Sequence, residues 1–312
     1  MARVLVTGAN GFIGAAVCRR LLATGWAVRG AVRGAVRRPE AKLPEGVERA
    51  LVDSLDGGSD WTGALENCEA VIHCAARVHV LREEAANPLA AFRRVNVEGS
   101  AALARQALTA GVKRLIYLSS IGAAQAAAGP GAATPYQQSK LEAEAALQRI
   151  SAGGPMGLIV LRPPLVYGPA APGNFTRLAR LLARDLPLPL AGIDNRRSLI
   201  YLDNLTSAIE AALTADPPPS APLAVCDGAD LSTPDLLRAM GRAMGQRVRL
   251  WPCPPALLRL AGTLLNRRTA VTALTESLTI DNRPACEALG WTPPFGVEEA
   301  LAASLAEEPG TP

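Results

Sequence analysis

The chain has 312 residues, 49% of them hydrophobic, with 32 basic residues, 28 acidic residues and a net charge of +4. That length supports one large or two smaller globular domains, and the small charge surplus makes no general case for nucleic acid. Two histidines, His73 and His79, and six scattered cysteines without a C-x-x-C pair leave little material for a zinc site or a histidine-centred triad, so no metal is expected.

No apolar run approaches the ~20 residues needed to cross a bilayer. The opening M-A-R-V-L-V-T-G passes from a short apolar run directly into glycine, which reads as a mature cytoplasmic start, and the cysteines among apolar neighbours fit a reducing compartment.

Short β-branched runs alternate with amphipathic stretches through the first half. Strands are predicted at Val4–Thr7, Val28–Val32, Glu48–Val52, Ala70–His73, Arg114–Leu118 and Gly157–Leu161, and helices at Phe12–Ala23, Ala90–Ala110 and Tyr136–Ile150. The alternation predicts an α/β fold with a doubly wound parallel Rossmann sheet. After Arg162 proline-rich turns such as P-P-L-V-Y-G-P and D-P-P-P-S-A-P punctuate shorter elements. Residues 1–165 are therefore expected to form the domain that carries the main sheet and 166–312 mainly a smaller, interleaved α/β lobe. A segment near 200–226, with Pro222–Val225 at its end, is expected to return to the main sheet. No internal repeat is visible, and the tail after Leu305 is expected to fray.

Gly8-Ala9-Asn10-Gly11-Phe12-Ile13-Gly14 follows the first predicted strand and opens a helix. Glycines there allow backbone N–H groups to approach a pyrophosphate, which the helix N-terminus stabilises. A plain strand-to-helix turn is the bland alternative. The second strand leads into V-R-G-A-V-R-R, and no acid occurs from Met1 to Pro39. A carboxylate at that point would accept hydrogen bonds from ribose hydroxyls, whereas arginine pairs with a 2′-phosphate. Arg33, with Arg37 and Arg38 behind it, favours NADP(H) over NAD(H), against the alternative of a solvated basic loop. Asp53, past the third strand, is placed to meet the adenine amino group.

Leu115–Ser120 reads as a strand ending in two hydroxyls at the edge where such folds hold ligands. Tyr136 and Lys140 follow, one helical turn apart on one face. A tyrosine with pKa near ~10 needs a cation to act as an acid–base group at neutral pH. Lys140 can supply that charge and reach ribose hydroxyls, while Ser120 can hydrogen-bond a substrate oxygen. Any Y-x-x-x-K alone is usually a surface helix; behind the glycine loop and the serine pair it reads as a site.

Taken together, T-G-A-N-G-F-I-G, V-I-H-C-A-A (Val71–Ala76), V-N-V-E-G-S (Val95–Ser100), L-S-S-I-G, Y-Q-Q-S-K, L-R-P-P-L-V-Y-G-P (Leu161–Pro169), R-R-S-L-I-Y-L-D-N-L (Arg196–Leu205) and A-L-G-W-T-P-P (Ala288–Pro294) resemble an extended short-chain dehydrogenase/reductase of the NAD-dependent epimerase/dehydratase family. The resemblance implies catalytic Ser120, Tyr136 and Lys140, a cofactor lining of Cys74, Ala75 and Ala76, and an Asn96 that supports the lysine through backbone and water. It also implies Asn174 and Arg197 at the diphosphate of a nucleotide-sugar, and a homodimer. The chain departs from the family pattern at Val32-Arg33, where the usual acid is missing, and at Leu165, where asparagine is common. It has no match to a downstream R-x-G-D arginine, and its stretch between Ser120 and Tyr136 is short and acid-free.

Two outcomes share this machinery: 4-epimerisation of a UDP-sugar through a 4-keto sugar, and reduction of a supplied 4-keto sugar attached to a nucleotide or a lipid-linked diphosphate. A hydroxysteroid-dehydrogenase-like or plant-type reductase of an apolar ketone is the alternative, and a non-catalytic NADP(H) sensor a remote one. Finally, Leu236–Thr275 carries seven arginines and no acid. Within it Pro254–Arg268 is expected to be a domain helix with its leucines packed inward, in preference to a peripheral membrane contact. His73 and His79 are read as structural.

Overall fold

In the computed structural model, which describes residues 2–34, 42–78, 87–129, 133–264 and 268–306, two compact units are built from an interleaved chain. Arg37, Arg38, His79, Arg267 and residues 307–312 lie outside the described residues. One unit comprises 1–164, 205–225 and 282–292; the other comprises 165–204, 226–281 and 293–312.

The first unit begins β1 (Arg3–Thr7), α1 (Phe12–Ala23), β2 (Ala27–Arg33), β3 (Glu48–Val52), α2 (Thr62–Leu65) and β4 (Ala70–His73). It continues with α3 (Pro88–Arg93), α4 (Ser100–Thr109), β5 (Arg114–Leu118), α5 (Ile121–Ala128), α6 (Pro135–Ser151) and β6 (Gly157–Arg162). Then come β7 (Leu165–Tyr167), α7 (Asn174–Leu182), β8 (Arg197–Tyr201), α8 (Leu202–Thr214) and β9 (Leu223–Ala224). The chain closes with β10 (Asp230–Leu231), α9 (Thr233–Ala243), α10 (Pro255–Leu264), α11 (Arg268–Thr275), α12 (Arg283–Leu289) and α13 (Val297–Leu305).

Seven strands form one parallel sheet in the order β3-β2-β1-β4-β5-β6-β9. Val6 of β1 pairs with Gly30 on one side and Ile72 on the other. Val4, Leu5, Val71, Ile72, Leu115 and Ile116 are completely buried, as a sheet covered on both faces requires. The strand order reverses beside β1, so the C-terminal ends of β1, β4 and β5 lie next to one another on one edge. Pro222–Val225 does return to this sheet, with Leu161 and Arg162 of β6 paired to Leu223 and Ala224.

Three findings differ from the expected elements. The single helix expected over Ala90–Ala110 is α3, a π-helical turn at Arg94–Gly99, and α4. At the end of that turn Gly99 approaches another segment closely, since a Cβ there would stand 2.7 Å from the Leu55 carbonyl oxygen. The acid-free stretch after Ser120 contains a helix, α5, which Ser120 caps by accepting the Gly122 N–H at 3.1 Å. Leu257, Leu260 and Leu264 of α10 do not pack inward but are exposed, while Leu258 is half-buried and Gly262 buried.

In the second unit a three-stranded sheet has the order β10-β8-β7, β7 parallel and β10 antiparallel to β8. Asp227 organises it, accepting from Tyr167 Oη at 2.8 Å, Tyr201 N at 2.9 Å and Asn204 Nδ2 at 2.7 Å. Burial pushes its carboxyl up, and those donors pull it back.

Candidate active site

The start of α6 is fixed by its own sequence. Thr134 Oγ1 accepts the Gln137 N–H at 3.3 Å, Gln137 Oε1 accepts the Thr134 N–H at 2.8 Å, and Pro135 takes the first helical position. This capping box sets the register that brings Tyr136, Lys140 and Glu144 onto successive turns of one face.

Tyr136 is half-buried and packs edge-on to Phe92 with ring centroids 6.1 Å apart. Burial raises its phenol above the ordinary value of 10.0, and the nearby Ser120 hydroxyl opposes that. The predicted pair of Ser120 and Tyr136 is thus brought together. Lys140 is buried, and its ammonium donates to the Leu118 carbonyl at 2.7 Å and to Tyr117 Oη at 3.0 Å. Burial pulls its pKa from 10.5 down to about 7, against the opposing charge of Glu144. Glu144, one turn on, is clamped by Arg162 through Nε at 3.0 Å and Nη2 at 2.5 Å, and it accepts the Ser119 hydroxyl.

A second network runs under the cluster. Ser100 Oγ donates to the Asn96 carbonyl at 2.6 Å, which leaves it an acceptor for His73 Nε2 at 2.8 Å. That places the imidazole proton on Nε2, so His73 Nδ1 accepts from Thr7 Oγ1 at 2.7 Å, and Thr7 Oγ1 in turn accepts the Ala75 N–H at 3.1 Å. Burial, helped by the Lys140 charge, holds His73 neutral with a pKa of about 3. Asn96 Oδ1 accepts the Arg77 N–H at 2.8 Å, and its Nδ2 donates to the Arg77 carbonyl at 3.1 Å and to Ser139 Oγ at 2.9 Å. It ties the π-helical turn to α6 and to the segment after β4.

At the glycine loop Gly8 has φ +66, and a Cβ on it would stand 3.0 Å from Ala75 N. A Cβ on Gly14 would stand 2.1 Å from Gly8 O, so α1 sits against the loop only because that position has no side chain. Gly11 caps α1 without a side chain and no acid occupies the first turn, which leaves its backbone N–H groups open to an anion. Asn10, Phe12 and Ile13 complete this turn; Cys74, Ala75 and Ala76 follow β4 at the adjacent strand end.

Residues 4–222 match the NAD dependent epimerase/dehydratase family. The chain belongs to that family. It is 34% identical to a UDP-glucose 4-epimerase of Vibrio cholerae over 310 residues, covering 96% of this chain and 93% of that one. It is 28% identical to a ceramide reductase of Caulobacter vibrioides, covering 93% of this chain and 86% of that one. A solved UDP-glucuronic acid 4-epimerase from Bacillus cereus in complex with NAD has the same fold, with TM-score 0.73, 18% identity and 97% of each chain covered.

The protein is accordingly an epimerase/reductase-type enzyme of the short-chain dehydrogenase/reductase class, and the family's dinucleotide fits its residues: open N–H groups at α1, a loop in which side chains at Gly8 and Gly14 are excluded, and β4 ending in small residues. Arg33 ends β2 exposed, and Asp53 is exposed beyond β3 near Gly34. Of the family's substrate positions, Asn174 is exposed at the first residue of α7, after Gly173 with φ +93. Arg197 is half-buried at the start of β8 and donates to the Glu276 carbonyl at 2.9 Å; burial lowers its pKa.

Sequence reasoning missed Tyr117, Ser100, Ser139, Glu144 and Arg162. Glu144 alone carried a local signal, standing one turn beyond Lys140.

Proposed function

We propose that this enzyme transfers hydride at C4 of a nucleotide-linked sugar, and that 4-epimerisation of a UDP-sugar is the reading supported best. The observation that carries it is Ser120, at the end of β5, with Tyr136 and a buried Lys140 on one face of α6, at the strand edge that also holds the glycine loop. The likeness to UDP-glucose 4-epimerases from Vibrio cholerae and, at 29% identity, from Mycolicibacterium smegmatis supports the substrate class.

Tyr136 takes the proton from the C4 hydroxyl as a 4-keto sugar forms and gives it back as the keto group is reduced on the other face. Ser120 hydrogen-bonds that oxygen in both states. Lys140, with Tyr117 and Leu118 fixing its ammonium, supplies positive charge on the Tyr136 side of the helix and holds ribose hydroxyls. Gly8, Asn10, Gly11, Phe12, Ile13, Gly14, Cys74, Ala75, Ala76 and Asn96 form or brace the dinucleotide site, which when filled accepts and returns the hydride. Asn174 and Arg197 bind the diphosphate of the sugar nucleotide.

A second reading, single reduction of a 4-keto nucleotide-sugar with NADPH, is favoured by the acid-free end of β2 and by exposed Arg33, which suits a 2′-phosphate. Purified protein assayed with UDP-glucose and UDP-galactose, without added dinucleotide, separates the two. Interconversion with NAD carried by the protein supports the epimerase. Absence of interconversion together with NADPH-dependent loss of a 4-keto UDP-sugar supports the reductase, and failure of both overturns the C4 chemistry.

A further inference from the structure

Helix α10 reads P-A-L-L-R-L-A-G-T-L, yet Leu257, Leu260 and Leu264 are 56%, 57% and 78% exposed. Their spacing of three and four residues sets them on one helix face, with buried Gly262 and half-buried Leu258 toward the other. Trp251, just before the helix, is 48% exposed. These four are half of the eight large hydrophobic side chains exposed among the described residues, so the apolar surface is concentrated in one short segment.

The same stretch is cationic. From Leu236 to Thr275 there are seven arginines and no acid. Arg238, Arg242 and Arg249 are paired with Asp235, Glu298 and Asp185. Arg247 and Arg259 are exposed, with no carboxylate in ion-pair distance among the described residues.

We propose that α10 seats the enzyme on an anionic lipid bilayer, its leucine face at the boundary between headgroups and acyl chains and Trp251, Arg247 and Arg259 at the headgroups. Ten helical residues span about 15 Å, half of a hydrocarbon core of about 30 Å, so the helix lies on the membrane and does not cross it. A second copy of the chain is the poorer occupant, because pairing this face with itself would bring two acid-free arginine segments together. None of these residues belongs to the proposed site, so the inference stands apart from the sugar chemistry.

The test is flotation of the full-length enzyme with vesicles of phosphatidylglycerol in phosphatidylcholine, compared with phosphatidylcholine alone. Low-salt binding is expected to be about tenfold higher on the anionic vesicles and to fall as salt rises. It is expected to drop at least about tenfold in L257S/L260S/L264S and in R247S/R259S, with melting temperature and activity unchanged because all five side chains are exposed. Absence of wild-type flotation at low salt overturns the proposal, as does flotation unchanged in the leucine variant. So does light scattering that shows a dimer which the leucine variant dissociates, since a second copy then covers the face.

Discussion

Tyr136→Phe removes one oxygen and leaves the ring against Phe92 and the helix cap at Thr134 intact. Turnover is expected to fall about 10²–10⁴-fold, the range for a lost general acid–base group, while dinucleotide binding by fluorescence titration stays within about twofold of the parent. Retained turnover would remove the phenol from the chemistry. His73 carries a different expectation, one of pH. Burial depresses its pKa from 6.5 to about 3, so as pH falls the unfolded chain takes up the proton first. The stability it contributes is complete above 6.5 and is lost toward 3, with a slope of about 1.4 kcal/mol per pH unit for the one proton. His73→Asn should be less stable at neutral pH, because two buried hydrogen bonds go, yet its urea midpoint should fall less steeply between those values. Parallel pH slopes would mean that His73 is not the buried neutral group the Thr7 and Ser100 contacts describe.

Elements were legible where the signal is local. Strands β1 to β6, six of the first unit's seven, and α1 follow from short apolar runs and a glycine loop, and the capping box Thr134-Pro135-Tyr136-Gln137 announces α6. The placement of Ser120 at a strand end and of Tyr136 and Lys140 on one helix face was readable for the same reason, since a strand end and an i, i+4 spacing are short-range patterns. The π-helical turn had no local signal; the close approach of Gly99 to Leu55 is made with a distant segment, and the partners of His73 lie 66 and 27 residues away. The leucines of α10 misled because periodicity reports a face and not what covers it. Glycine positions give this scale its test. Gly14→Ala puts a methyl 2.1 Å from Gly8 O and 2.7 Å from Gly8 C, both backbone atoms, whereas Gly63→Ala in α2 meets nothing within 4 Å. The first should lose about 1–3 kcal/mol or more by denaturant titration and weaken dinucleotide binding; the second should do neither. Equal behaviour of the two would show that α1 can move away from the loop at little cost.

At the scale of the whole molecule, chain order and fold do not coincide. The first unit is closed by residues that come after β8: β9 completes its sheet, and α8 buries Leu205, Ala208, Ile209 and Ala212 completely. Polar contacts fix α8 in place. Arg20 donates to Glu210 at 2.6 Å, Arg114 donates to the carbonyls of Ala212 and Leu213 at 3.0 and 2.9 Å, and Trp291 Nε1 donates to Ser207 at 2.9 Å. A chain stopped after Pro164 would keep the glycine loop, Ser120, Tyr136 and Lys140 but lose all of these. Leu205, Ile209 and Leu223 alone contribute about 1.5–3 kcal/mol each by burial, against a net stability of about 5–15 kcal/mol for a typical domain. The strand edge of β6 would also be bared, an invitation to aggregate. The shortened chain is therefore expected to give a broad, low-amplitude thermal transition and no measurable dinucleotide binding, although each residue of the proposed catalytic trio is present. A sharp transition with binding equal to that of the full chain would mean that the returning segments serve the second unit alone, and that the first folds from consecutive sequence.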